Sequence, residues 1–154
     1  MMVLTIVGRK TREPYSRESC YWWEILVRAL KDMVVEVFID EDKSNTFNTP
    51  FYAPSEAELC FLVEKEGSFN LNQVQISEVS WKPNEQHKNS HPFESDHDAF
   101  TKCIRAVTEY LVTSHFGQSI VEEVYHRYKE FVKVSMGKEN NVFINITVSL
   151  TRNG

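Results

Sequence analysis

The chain has 154 residues, 42% of them hydrophobic and 25% charged, with a net charge of −5. That length suits one domain with a real core, and nothing in it marks a second. Its Lys and Arg residues are scattered among acids, so the basic stripe of a nucleic-acid binder is missing, and no apolar run nears the about 20 residues that span a bilayer.

Met2 to Val7 is a short apolar and β-branched run that stops at Gly8-Arg9-Lys10. The pattern predicts a strand buried on both faces, which needs neighbours on either side. After a polar stretch holding Pro14, the segment Cys20–Ile39 places Trp22, Leu26, Ala29, Leu30, Met33 and Val37 at intervals of three and four. That spacing predicts one long helix with a wide apolar stripe. The acids Asp40-Glu41-Asp42 oppose the dipole at its C-terminus and predict a stop there.

Residues 43–54 hold two prolines and no period, and read as a loop kept ordered by Phe47, Phe51 and Tyr52. Ser55 with Glu58 forms a capping box for a helix through Val63, closed by Gly67. In residues 69–81 the apolar positions change face between Ile76 and Val79, which predicts a strand with a bulge or at an edge. Lys82–Asp98 is polar, with two prolines and three of the five histidines, and reads as an exposed loop.

Ser95 or Asp96 can cap the next helix, and Gly117 separates it from another in which Val121, Val124, Tyr125, Tyr128 and Phe131 keep helical spacing. Val142, Ile144, Ile146, Val148 and Leu150 then alternate with polar residues in the clearest strand of the chain. The order β, α, α, β, α, α, β gives an α/β fold with only three strands. Such a sheet leaves a small, lopsided core, as part of a larger α/β domain would.

Chemistry-bearing motifs are few. His87, His91 and His97 lie in a polar loop with no cysteine pair to complete a zinc set, so structural or solvated histidine is preferred. Cys103 and His115 stand at opposite ends of one helix, and no glycine-rich phosphate cradle is present. Glu64, Glu66 and Glu78 read as a solvated face. Cys20, Cys60 and Cys103, odd in number and far apart, argue for reduced thiols in a cytoplasmic protein, and the N-terminus lacks the layout of a secretion signal. The aromatic residues offer more. Trp22 and Trp23 are neighbours on a helix and point roughly 100° apart. With Tyr52 and Phe143 they can either pack a core, the preferred reading, or wall a pocket for a flat organic ligand.

The segments MVLTIVGR, CYWWEILVRALKDMV, FNTPFYAPSEAEL, EKEGSF, CIRAVTEYLVTSHFG, EEVYHRY and FINITVSLTR occur in this order across the chain. Together they resemble the C-terminal half of the plant SABATH methyltransferases, which methylate small acids such as salicylate, benzoate, jasmonate, indole acetate or gibberellin, or xanthine-type acceptors. The resemblance implies the C-terminal part of a Rossmann-like methyltransferase sheet with a helical acceptor-binding cap, using S-adenosylmethionine. On it, residues 1–154 form a single partial domain: a core strand at 1–8, cap at 16–66, strand at 69–81, helices at 96–136 and a last strand at 142–151. Met2 to Val7 stands for the family's fifth strand, the later two strands pair antiparallel beside it, and Met1 is a cut end whose N-terminal cofactor half is absent.

Acceptor positions carry over residue by residue. Trp23 matches the pocket tryptophan, and Trp22 stands where a smaller aliphatic residue is common, which narrows the pocket. Tyr52 matches the pocket tyrosine, Ile104 and Val107 the far wall, and Phe143 the aromatic near the last strand. The resemblance also implies a magnesium loop at Asn45, Phe47 and Asn48, weakened because Asn45 replaces a carboxylate. The expected function is a fragment of a carboxyl methyltransferase that supplies the pocket for a small carboxylic acid and is inactive alone. The alternative is a non-catalytic module that binds small acids, or that forms a homodimer or pairs with a full-length relative.

Overall fold

The computed structural model describes residues 1–82, 95–139 and 141–153. Along it run β1 (Met2–Gly8), α1 (Arg17–Val35), α2 (Glu41–Thr46), α3 (Glu56–Glu66), β2 (Phe69–Ser80), α4 (Asp96–Phe116), a 3-10 turn (Gln118–Ile120), α5 (Val121–Lys138) and β3 (Val142–Arg152). They divide into two compact units: a sheet unit of Met1–Tyr21, Phe51–Ser80 and Val142–Gly154, and a helical unit of Trp22–Pro50 and Trp81–Asn141.

In the sheet unit β3 is central and pairs antiparallel with β1 on one side and β2 on the other. Ile144, Ile146, Val148 and Leu150 are all buried on one face, as their alternation predicts. Ile6 from β1, Val74 and Ile76 from β2, and Leu59 and Val63 from α3 pack on that face. Leu59 and Val63 are four residues apart, so one helical stripe covers it. Ser55 and Glu58 make the reciprocal capping box, and Gly67 ends α3 in the left-handed region at φ 78°. The helix runs past Val63 to Glu66.

β1 carries the apolar run that reads as buried on both faces but has, among the described residues, a neighbour on one side only. Met2, Val3 and Leu4 are 37%, 57% and 41% exposed, and only Gly8 is buried. The physical reason is topological: among the described residues β1 has β3 as its single partner strand, so it is an edge. Composition shows what a strand can bury, not whether anything is there to bury it. Among the described residues β2 is an edge too, one of the two options expected, and its ladder slips between Leu71 and Gln73 rather than near Ile76. Trp81 leaves the strand altogether and stacks on Phe100 in the helical unit, ring centroids 4.3 Å apart.

In the helical unit, Ile25, Leu26, Ala29, Leu30 and Met33 of α1 are buried, the stripe expected. The helix stops at Val35, short of the acids. Phe38 N–H and Ile39 N–H both donate back to the Met33 carbonyl, at 2.9 and 3.3 Å, around Val37 at φ 64°. The acidic cluster therefore opens a new helix instead of closing the old one. Asp40 Oδ1 accepts from Asp42 N and Lys43 N at 3.0 and 3.2 Å, which caps α2. The dipole argument was sound, but it acts at an N-terminus. Residues 43–46, read as loop, are helical for that reason.

Val37 is a β-branched residue in a left-handed conformation and 88% exposed. Such a residue clashes with its own backbone there. Val37→Gly is expected to raise stability by roughly 0.5–1 kcal/mol, read as a higher urea midpoint with an unchanged slope.

Ser95 caps α4, and Gly117 ends it at φ 95°. In α5 the buried positions are Val121, Val124, Tyr125, Tyr128 and Val132. Phe131, expected in that stripe, is half-buried with the Arg28 guanidinium 4.3 Å above its ring, and Val132 takes the core place. The Tyr128 hydroxyl donates to the Trp22 carbonyl at 3.3 Å, and the Thr108 and Tyr125 hydroxyls pair at 2.8 Å.

Candidate functional site

The six expected acceptor positions fall on both units. Trp22, Trp23, Ile104 and Val107 belong to the helical unit, Tyr52 and Phe143 to the sheet unit. Although Trp22 and Trp23 leave α1 in different directions, their rings fold together, centroids 4.3 Å apart and tilted by 30°. Trp22 is 6% exposed and Trp23 half-buried. Ile104 is 2% exposed and Val107 62%, so the α4 pair is split between a buried and an open position. Phe143 is half-buried opposite Val79 of β2, on the face of β3 that carries Asn145, Thr147 and Ser149.

Tyr52 is built into a polar network that the sequence did not announce. β1 ends in Gly8-Arg9, and a Cβ on Gly8 would lie 2.5 Å from Ile146 Cδ1 and 2.8 Å from the Pro54 carbonyl. The missing side chain lets residues 53–55 run close beside the strand end. Arg9 N–H donates to Pro54 O at 3.0 Å. The Arg9 guanidinium, fully buried, donates from Nη1 to Ala53 O and from Nη2 to Glu58 Oε1 at 2.7 Å and Arg12 O at 3.3 Å. The Tyr52 hydroxyl donates to the same Glu58 oxygen at 2.8 Å, while Glu58 Oε2 accepts from Ser55 N–H at 2.8 Å. The capping box was legible in the sequence. Arg9 and the second duty of Glu58 were not, because a strand-end arginine is usually a solvated one.

These donors, the Ser55 backbone N–H first and then Arg9 and Tyr52, hold the Glu58 carboxyl down from 4.5 to about 2. Since the folded value lies below the unfolded one, its stabilising contribution is complete above the unfolded value and is lost as pH falls toward the folded one. Glu58→Gln is therefore expected to fall below wild type in stability at neutral pH. The gap should close between about pH 5 and pH 2 in acid unfolding curves. A gap constant across that range would exclude the network.

Among the described residues no group of three or more His, Cys, Asp or Glu is placed to hold a metal. Asn45 and Asn48 are exposed, and Phe47 packs its ring on Phe116, centroids 5.0 Å apart. They offer neutral oxygens only, a poor fit to a hard dication. His87 and His91 lie outside the described residues, and His97 Nε2 is 3.0 Å from the cap hydroxyl of Ser95. His115 Nε2 donates to the Lys43 carbonyl at 2.7 Å, a tie between α4 and α2. Cys20, Cys60 and Cys103 are free thiols. No helix among the described residues is long and apolar enough to cross a membrane.

An antiparallel three-stranded sheet with helices is a fold that the comparisons then specify. The family model for SAM-dependent carboxyl methyltransferases matches residues 1–153, and the chain belongs to that family. It is 44% identical over 151 residues to S-adenosyl-L-methionine:benzoic acid/salicylic acid carboxyl methyltransferase 1 of Petunia hybrida, covering 98% of this chain and 41% of the relative. It is 41% identical over 152 residues to salicylate carboxymethyltransferase of Clarkia breweri, covering 98% and 42%. Jasmonate O-methyltransferase of Arabidopsis thaliana is 34% identical over 161 residues, covering 99% and 41%. The chain thus spans about two fifths of the length of these relatives. Its fold is shared with a solved loganic acid methyltransferase bound to SAH, at a TM-score of 0.81 and 23% identity, covering 99% of this chain and 42% of that one.

Proposed function

We propose that this chain supplies the acceptor-binding part of an S-adenosylmethionine-dependent carboxyl methyltransferase acting on a small plant acid of the benzoate, salicylate or jasmonate kind. The observation that carries the reading is the family match over residues 1–153. The residues proposed for acceptor contact are Trp23 and Val107 of the helical unit and Tyr52 and Phe143 of the sheet unit. Trp22 and Ile104 expose almost no surface, and Trp22 backs the Trp23 ring.

The cofactor supplies an electrophilic methyl group on a sulfonium. The glycines of this chain stand singly at 8, 67, 117, 137 and 154, which builds no backbone cradle for it, and the chain alone is expected to give no binding heat with S-adenosylmethionine. The acceptor carboxylate is already a nucleophile at neutral pH, so the residues here need not remove a proton. Their share is to orient the acid, fix its distance from the methyl group and exclude water. Magnesium is no part of this proposal, given the neutral donors of Asn45, Phe47 and Asn48. The free thiols fit a cytoplasmic setting.

The test is to join this chain to the N-terminal portion of the Petunia hybrida relative and assay methyl ester formation from benzoate, salicylate and jasmonate. Ester from at least one is expected. Failure with all three, in a joined protein that folds, would refute the reading. The exposed edge of β1 favours a second one, a module that pairs with another copy or with a full-length relative through that strand. Sedimentation of the chain distinguishes it: a dimer that Val3→Pro dissociates supports pairing, and a monomer rejects homodimerisation.

A further inference from the structure

Arg9 is the one charged residue buried among those described. Its Nε is buried as well and has no hydrogen-bond partner among the described residues. A buried ion pair adds little stability over a well-packed apolar replacement, and an unmet donor subtracts from it. Arg9 and Glu58 tie together the end of β1, residues 12, 53 and 55 and the first turn of α3, and Glu58 Oε1 also accepts from the Tyr52 hydroxyl. The Arg9 guanidinium carbon also lies 5.3 Å from the centre of the Tyr52 ring.

The outcome is an aromatic side chain tethered at its hydroxyl on a residue that is 60% exposed. A hydroxyl that already donates to a carboxylate cannot donate to a ligand without giving up a charge-assisted bond. We propose that Arg9 and Glu58 are positioning residues for acceptor binding: they hold Tyr52 so that it offers the acceptor an aromatic face and withholds its hydroxyl. This rests on the acceptor role of Tyr52 proposed above. It also narrows the substrate class, because the part of the acid that meets Tyr52 must then be apolar or aromatic, away from its carboxylate and any polar substituent.

Two measurements test it. In NMR spectra of the 154-residue chain, Tyr52 is expected in one side-chain rotamer with Overhauser contacts to the Arg9 side chain, both lost in Glu58→Gln. In the joined enzyme, Tyr52→Phe and Glu58→Gln are each expected to raise KM for benzoate by roughly three- to tenfold, with kcat nearly unchanged. The double variant should be no worse than the worse single one, since both break one tether. Tyr52→Phe keeps the ring on an exposed site, so it is read without concern for folding. Unchanged KM in both single variants, effects that add in the double one, or a rotamer-averaged Tyr52 in the wild-type chain would each overturn the inference. A joined enzyme that methylates no acid removes the acceptor role itself. The NMR result keeps that failure distinct from a failure of the tether.

Discussion

Truncating Ile146 to alanine is expected to remove about 2–5 kcal/mol of stability, measured as a fall in the urea or thermal midpoint of the chain. Ile146 is fully buried at the middle of the central strand, opposite Ile6 of β1 and Ile76 of β2. Its Cδ1 also occupies the space that Gly8 leaves by lacking a side chain. Removing it opens a hole that neither neighbouring strand can close without breaking its ladder, which places the expected loss toward the upper part of that range. Thr147→Ala, one residue along on the half-buried face, is the control and should change stability far less. Equal losses at both positions would mean that the face under α3 is not the core of the sheet unit.

Trp22→Ala is expected to cost about 3–5 kcal/mol, the effect of a large aromatic residue buried in the helical unit. It also removes the ring on which Trp23 rests. In the joined enzyme the same change should broaden the range of acids accepted, because Trp23 loses the support that fixes its plane. Trp23→Ala, at a half-buried position, should cost less stability and act mainly on acceptor KM. The pair of variants separates a wall from its support. If Trp22→Ala cost under about 1 kcal/mol, Trp22 would be facing a ligand rather than a core.

Much of the fold was legible because local chemistry decided it. The alternation from Val142 to Leu150, the capping box of Ser55 and Glu58, and the stops at Gly67 and Gly117 each depend on a few neighbouring residues, and each appears where the pattern placed it. The errors came where distant partners decide. The acids at 40–42 signal a helix terminus but not which one, and the turn at Val37 settled that. Phe131 and Val132 both satisfy a helical stripe, and only the packing on α5 chose Val132.

The candidate site divides in the same way. Its aromatic members could be named from the residues and their resemblance to a methyltransferase family, because ring-bearing positions are few and their flanking segments distinctive. The tether that orients Tyr52 could not. Arg9 and Glu58 are 49 residues apart, and a guanidinium reads as solvated until a glycine, a proline-bounded loop and a helix N-terminus close round it. By itself, then, the sequence determined the elements, the alternating face of β3 and the family. The tertiary structure decided which tryptophan is buried and that one arginine sits inside. Those outcomes depend on what lies opposite each side chain, and no local pattern encodes that.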